Sequence, residues 1–354
     1  MKDSKLNPIR VLIIDDSAFS RQTIKEILEK VPQVEIAGLA YDGQDGMAKI
    51  LKLKPDIVTL DIEMPGMDGF TLLRWIMKEK PLPVIVVSAH FDDPTVFKAL
   101  ELGAVDFVKK PTNRASKELR EIENDLVSKV LVVFSLRMEK LKKALSLLEL
   151  KESKNNYLFE DNSFEIIAIG ASTGGPTAIQ TILTRLPEKF PCAIVISQHM
   201  PRGFTRQFAD RISNISQLHV KEAEHGEPVE SGKVLISPGG HHMVFEKLRK
   251  KIYTILKDSS GKDKYVPSID KMMKSVADIY KSKTMGILLT GMGNDGKEGM
   301  LEIKKKGGFT IAESEKSAIV FGMPKEIIQA GGVDKVLVLQ DIPGELLKKL
   351  GKKP

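Results

Sequence analysis

Cysteine is nearly absent: the 354-residue sequence has one, Cys192. A single thiol excludes an intrachain disulfide and a zinc site built from several cysteines, and it fits a reducing compartment, so a cytoplasmic location is expected. Long apolar runs are also lacking. The longest, Val130 to Leu136, is far below the ~18 residues needed to span a bilayer, and the amino-terminal MKDSKLNPIR has no apolar segment after its charges. Secretion and membrane insertion are therefore not expected. Neither a cysteine–histidine finger spacing nor an aromatic-rich RNA-binding signature occurs, which argues against a nucleic-acid partner.

What is present is ordinary for a soluble protein, with 42% hydrophobic and 29% charged residues. At roughly 150 residues per domain the length suggests two domains, each able to bury its own core. Lys+Arg 54 against Asp+Glu 47 leaves a net charge of +7. Such a field attracts nucleic acid, an anionic membrane or an acidic protein alike, and is too weak to choose among them. The basic runs Lys247 to Lys251 and Lys348 to Lys353 read as solvated surface.

Residues 10–111 alternate short aliphatic runs with helical patterns, the runs being Val11 to Ile14, Glu35 to Ala40, Ile57 to Leu60, Val84 to Val87 and Asp106 to Val108. Strands alternating with helices imply a doubly wound parallel sheet, whose functional crevice lies at the carboxyl ends of the strands. Ala115 to Leu150 has helical spacing without Pro or Gly, and decays into a polar linker, Lys151 to Ser163. A second α/β region starts at Phe164, with strands expected at Ile166 to Ile169, Ala193 to Ser197, Val234 to Ile236, Met285 to Leu289 and Phe309 to Ala312.

In the first region Asp15 and Asp16 follow the first strand, Asp61 ends the third, Ser88 follows the fourth and Lys110 the fifth. All fall on one sheet edge. Converging carboxylates repel unless a divalent cation neutralises them, and an oxygen-only site suits Mg²⁺. A carboxylate can attack a phosphoryl donor while a hydroxyl and an ammonium hold the transferred oxygens. Asp61 is then the nucleophile, Asp15 and Asp16 metal ligands, and Ser88 and Lys110 phosphoryl contacts.

The pieces VLIIDDSAFSR, DIVTLDIEMPGMDGF, VIVVSAH and DFVKKP resemble, in order, the response-regulator receiver domain over about residues 8–125. The resemblance implies a flavodoxin-like fold, phosphorylation of Asp61 by a histidine kinase, and a backbone carbonyl of Glu63 among the Mg²⁺ ligands. Phe107 falls where such domains carry an aromatic that reports the switch; a plain core residue fits the position equally.

In the second region IIAIGASTGG is a strand entering a glycine-rich turn, and Gly170, Ser172 and Gly174 fit the G-x-S-x-G elbow, in which a strained turn presents a nucleophilic serine. Serine needs a general base. Of the six histidines, His90 belongs to the first region, and His219 and His225 lie in a polar stretch without a strand-end signature. His199, two residues past a strand in VISQHMPRGF, ranks ahead of His241 and His242 in SPGGHHM. Asp295, on the glycine-rich loop of ILLTGMGNDG, is the candidate orienting acid. The order Ser172, His199, Asp295 differs from the serine, acid, histidine order of α/β-hydrolases, so that family is excluded while the triad chemistry survives. Cys192 precedes a strand with no base placed beside it, and reads as a buried thiol.

The blocks IGASTGGP, ISQHMP, PGGHHM, PSID, LLTGMGNDG and GMPKEII resemble the catalytic domain of the chemotaxis protein-glutamate methylesterase family over about residues 163–349. The resemblance implies a Rossmann-like domain in which a Ser172, His199, Asp295 triad hydrolyses glutamate methyl esters and deamidates glutamines of chemoreceptor cytoplasmic domains. It also implies backbone oxyanion donors at Thr173 and Met292, no metal for ester hydrolysis, and His241 and His242 lining or supporting the cleft or serving structure alone. The organisation expected is a receiver over 8–128, a helix and linker over 129–162 and a methylesterase domain over 163–354, with the receiver flanking the cleft and its phosphorylation favouring an accessible active site.

Two other readings compete. Gly291, Gly293 and Gly296 satisfy G-x-G-x-x-G, with Glu313 ending the next strand, as in dinucleotide-binding folds. Asp295 would then repel the pyrophosphate, and Ser172 and His199 would go unused. A non-catalytic binding module is the second. A helix-turn-helix output is disfavoured by the strand–helix alternation of residues 164–350.

Overall fold

The computed structural model describes residues 8–88, 95–110, 117–134, 159 and 164–351. His90 and most of the expected connecting segment 129–162 lie outside the described residues. The chain divides into two compact units, Met1–Leu145 and Ser146–Pro354.

The first unit runs β1 (Ile9–Ile14), α1 (Ala18–Glu29), β2 (Val34–Ala40), α2 (Gly43–Leu53), β3 (Ile57–Asp61), α3 (Gly69–Glu79), β4 (Val84–Ser88), α4 (Thr95–Glu101), β5 (Asp106–Lys109) and α5 (Lys117–Val133). Its sheet is wholly parallel in the order β2-β1-β3-β4-β5. The strands are aliphatic because parallel sheets are covered by helices on both faces. Ser17, Asp42 and Asp68 cap α1, α2 and α3 by accepting from the amides of Ser20, Asp45 and Thr71. Phe107 is buried edge-on to Phe97, with ring centroids 6.3 Å apart, and so occupies the core.

The second unit begins β6 (Ile166–Ala171), α6 (Gly175–Leu183), β7 (Ala193–Gln198), α7 (Phe204–Ile215), β8 (His219–Glu222), β9 (Lys233–Ile236), β10 (His241–Leu248) and β11 (Lys251–Asp258). It continues α8 (Ile269–Tyr280), β12 (Thr284–Leu288), α9 (Lys297–Lys305), β13 (Phe309–Glu313), α10 (Met323–Gln329), β14 (Lys335–Leu337) and α11 (Asp341–Leu350). Its larger sheet has seven parallel strands in the order β14-β13-β12-β6-β7-β9-β8. The core joins α8, through Met272, Met273 and Val276, to Ile166 and Ala168 of β6 and Val195 of β7.

All ten expected strands are present, and the sequence reading missed four more: β8, β14 and the antiparallel hairpin β10–β11. β8 and β14 are edge strands of four and three residues, too short and too polar to carry an aliphatic signature. His219 opens β8 and so lies away from the carboxyl ends of the strands. Lys247 to Lys251 forms the exposed tip of the hairpin, with the turn itself at Arg249 and Lys250.

Both sheets change winding direction beside their first strand. In the first unit the crevice lies between β1 and β3, and in the second between β6 and β12, the positions where open α/β sheets bind ligands.

Candidate active site and acidic cluster

Ser172 follows β6, His199 follows β7 and Asp295 lies on the loop after β12, three adjacent strands. The His199 ring stands between the other two: Nδ1 is 3.2 Å from Ser172 Oγ and Nε2 is 2.8 Å from Asp295 Oδ2. Asp295, nearly fully buried, accepts three further bonds, from Ile269 N (2.8 Å), Asp270 N (2.9 Å) and Ser268 Oγ (3.1 Å). Burial would raise its pKa, but the hydrogen bond and charge of His199 and the amides of α8 hold it below the usual carboxylate range. An ionised Asp295 keeps the proton of His199 on Nε2 and leaves Nδ1 free to accept from Ser172.

The turn carrying Ser172 has its left-handed residue at Gly174 (φ 76°), the N-cap of α6. Ser172 itself does not have a positive φ, so the left-handed strain expected of the elbow serine is not found there. Close approach is the second role of glycine here: a Cβ on Gly291 would meet Ser172 Cβ at 2.6 Å. Among the described residues the Thr173 and Met292 amides donate no hydrogen bond, and Met292 is exposed.

In the first unit Asp15, Asp16 and Asp61 each bring a carboxylate oxygen within 4.8 Å of the others. Lys110 Nζ lies among them, 2.5 Å from Asp61, 3.0 Å from Asp15 and 3.8 Å from Asp16. Asp15 also accepts from Ser17 N (2.8 Å) and Ser20 Oγ (2.6 Å), and Asp61 from Glu63 N (3.2 Å). Burial, helped by the Asp15 charge, pushes Asp61 up to about 6 against the opposing Lys110 hydrogen bond. Lys110 N donates to Ser88 O (2.7 Å), so both candidate phosphoryl contacts sit at neighbouring strand ends. The hard, anionic donor set fits Mg²⁺. Gly69 lets α3 start against this site, since a Cβ there would lie 2.3 Å from Asp61 O.

Residues 167–346 match the model of the CheB methylesterase family, and residues 11–122 that of the response regulator receiver domain. The chain is 46% identical to protein-glutamate methylesterase/protein-glutamine glutaminase 3 of Geobacter sulfurreducens, over 98% of each chain. It is 40% identical to the Thermotoga maritima protein of the same type, over 96% of this chain and 98% of that one. The chain belongs to the protein-glutamate methylesterase/protein-glutamine glutaminase family. It is a hydrolase with an amino-terminal receiver domain. The crystal structure of the Thermotoga maritima CheB methylesterase catalytic domain is also similar, with a TM-score of 0.51 and 43% identity over 52% of this chain and 98% of that one.

Other residues of the methylesterase domain fall into place around the site. His242 is buried and supports it: Nδ1 accepts from Ser268 N (3.1 Å) and Nε2 faces Asp263 (3.1 Å). Half-buried His241 lies between Arg202 (3.1 Å) and Asp258 (2.9 Å). Cys192 is buried, donates to Phe164 O and has its pKa pushed up to about 12 by burial, which makes it inert. The dinucleotide reading fails on Glu313, which is buried and accepts from Thr290 N (2.8 Å) and Ser317 Oγ (2.9 Å), leaving no carboxylate for a ribose. Gly293 and Gly296 instead shape the Asp295 loop, at φ 89° and 95°.

Several further residues that no sequence signal marks complete the site. Tyr265 stacks on the His199 ring, with centroids 4.7 Å apart and planes 3° from parallel. Gln198 Nε2 donates to Ser172 O and His199 O, tying the two loops together. Thr290 Oγ1 donates to Thr173 O (2.9 Å) and orients that peptide. Gln198 and Thr290 stand within quoted blocks, but only their buried positions give them a role. Among the described residues, no helix is long and apolar enough to cross a membrane.

Proposed function

We propose that the chain hydrolyses glutamate methyl esters, releasing methanol, and deamidates glutamines on chemoreceptor cytoplasmic domains, under control of phosphorylation at Asp61 by a chemotaxis histidine kinase. The division of labour is a receiver over 8–128, a connecting segment over 129–162 and an esterase over 163–354. The observation that carries the reading is the Ser172, His199, Asp295 alignment within hydrogen-bond reach, together with the Thr173 and Met292 amides, which donate no hydrogen bond among the described residues.

His199 Nδ1 takes the Ser172 proton as Oγ attacks the ester carbonyl, and Asp295 stabilises the imidazolium. Thr173 N–H and Met292 N–H receive the oxyanion, the first at the start of α6, where the helix dipole favours negative charge. Collapse breaks the carbonyl–OCH₃ bond, and His199 returns its proton to the departing oxygen, giving methanol and an acyl-Ser172. Water, deprotonated by His199, then attacks the acyl carbon, yielding the glutamate carboxylate and free Ser172. For glutamine the departing group is ammonia.

At the receiver, Asp15, Asp16, Asp61 and the Glu63 carbonyl would hold Mg²⁺, whose charge offsets that of an incoming phosphoryl group. Asp61 is the acceptor oxygen, with Lys110 and Ser88 contacting the transferred oxygens.

The test is methanol release from a methylated chemoreceptor cytoplasmic fragment, with and without Mg²⁺ and acetyl phosphate. Release that requires Ser172 and rises only when Asp61 is present supports both halves. Folded protein that releases no methanol under either condition overturns the esterase reading.

A further inference from the structure

Two carboxylates of the esterase domain are exchanged between helices. Asp295 belongs to the loop that leads into α9, yet its carboxylate ends on the first turn of α8, at the amides of Ile269 and Asp270. Asp270 belongs to that first turn of α8, yet its carboxylate ends on the start of α9: Oδ1 accepts from Gly296 N (2.9 Å) and Gly299 N (2.7 Å). Each residue thus donates structure to the other's neighbourhood, and each carboxylate satisfies amides that a helix start would otherwise leave unpaired. The crossing is tight. A Cβ on Gly299 would meet Met273 Cβ at 2.5 Å and Asp270 Cα at 3.3 Å, and one on Gly296 would meet Leu288 Cδ1 at 2.4 Å.

One of the two residues bonded to Asp270 Oδ1, Gly296, is covalently next to Asp295. Any slackening at 296 is passed within one peptide to the carboxylate that holds His199. The two carboxylates also repel each other, so the arrangement persists only while the amide bonds hold it.

We propose that Asp270 is a positioning residue for hydrolysis: its carboxylate pins the Asp295 turn to α8 and thereby fixes the Asp295–His199 contact. This rests on the reading of Ser172, His199 and Asp295 as the catalytic groups. Displacements of about 1 Å at such a group cost on the order of 10²-fold in rate. A lost anchor should therefore appear in kcat and leave substrate binding alone.

The experiment compares full-length wild type, Asp270→Ala, Asp270→Asn and Asp270→Glu by methanol release and by the rate of Ser172 modification with phenylmethanesulfonyl fluoride, which needs no receptor. Asn keeps an oxygen where Oδ1 stands, whereas Glu keeps the charge and moves the carboxylate by one methylene. The expected result is a loss of about 10- to 100-fold in kcat and in modification rate for Asp270→Ala, with KM within about threefold. Asp270→Asn should recover to within about fivefold of wild type, and Asp270→Glu should not. Should the alanine variant fail to fold, the Asn and Glu variants decide. The proposal is overturned by wild-type rates in folded Asp270→Ala, by a loss confined to KM, or by Asp270→Glu outperforming Asp270→Asn. Ser172→Ala keeps the two questions apart, because unchanged modification in that variant would sink the catalytic reading itself.

Discussion

Asp61 and Asp295 are equally buried, each 3% exposed, and each stands at the crevice where its sheet reverses winding, yet their acidities move in opposite directions. Asp61 is pushed up to about 6; Asp295 is held below the usual carboxylate range. Burial raises both. What differs is the supply of donors: Asp295 receives His199, two α8 amides and a serine hydroxyl, whereas Asp61 has Lys110, one amide and two neighbouring carboxylates. The receiver site is short of positive charge and suited to a cation and a phosphoryl group. The esterase site is complete as it stands.

The largest effects should come from removing the charge that completes the esterase site. Asp295→Asn should lower kcat for methanol release by roughly 10³- to 10⁴-fold, because His199 loses its anionic partner and its fixed tautomer. Asp61→Asn should abolish phosphate incorporation from acetyl phosphate while sparing basal hydrolysis. An Asp295→Asn enzyme close to wild-type rate would break the contrast at its root.

The contrast also predicts opposite responses to pH. The folded value of Asp61 lies above the ordinary 3.8, so the folded state keeps a proton that the unfolded chain has lost between about pH 4 and 6. In magnesium-free buffer this group should therefore lower receiver stability as pH rises through that window, by up to ~3 kcal/mol. Asp295 lies below 3.8, so its contribution is complete above about pH 4 and is lost on further acidification. Unfolding midpoints of the two domains against pH, with Asp61→Asn as control, read this directly. A receiver midpoint that falls equally in Asp61→Asn would assign the slope to other groups.

Smaller effects sharpen the account of the esterase site. Tyr265→Leu should cost roughly tenfold in kcat through the lost stacking on His199, and Tyr265→Phe should retain it. Least of all should be felt at Cys192: iodoacetamide applied to the folded protein should leave methanol release unchanged, since the buried thiol is not ionised. Rapid labelling under native conditions would contradict that burial.

Ser172, His199, Asp61 and Lys110 were legible because each follows an aliphatic run of unmistakable strand character, which assigns it to the carboxyl edge of a parallel sheet. Tyr265 and Asp270 were not, and His242 was reached only through the family resemblance. Tyr265 and Asp270 lie in or near the first turn of α8, and their partners are 66 residues away for Tyr265 with His199 and 26 for Asp270 with Gly296. No periodicity relates such pairs. The short edge strands β8 and β14 escaped because edge positions tolerate polar side chains, and in the elbow the left-handed residue is Gly174, which has no Cβ to clash, rather than Ser172.

The sequence by itself determined which groups reach the two sheet edges, because strand periodicity and strand-end polarity are local properties of the chain. It also determined the two-domain α/β class. Only the tertiary structure decided which ring nitrogen of His199 meets which partner, how many amides each carboxylate collects, and hence which aspartate is held ionised and which is pushed toward its proton. Those outcomes depend on the crossing of α8 with α9 and on the crowding of three carboxylates around one ammonium, distances between residues that the chain order leaves unconstrained.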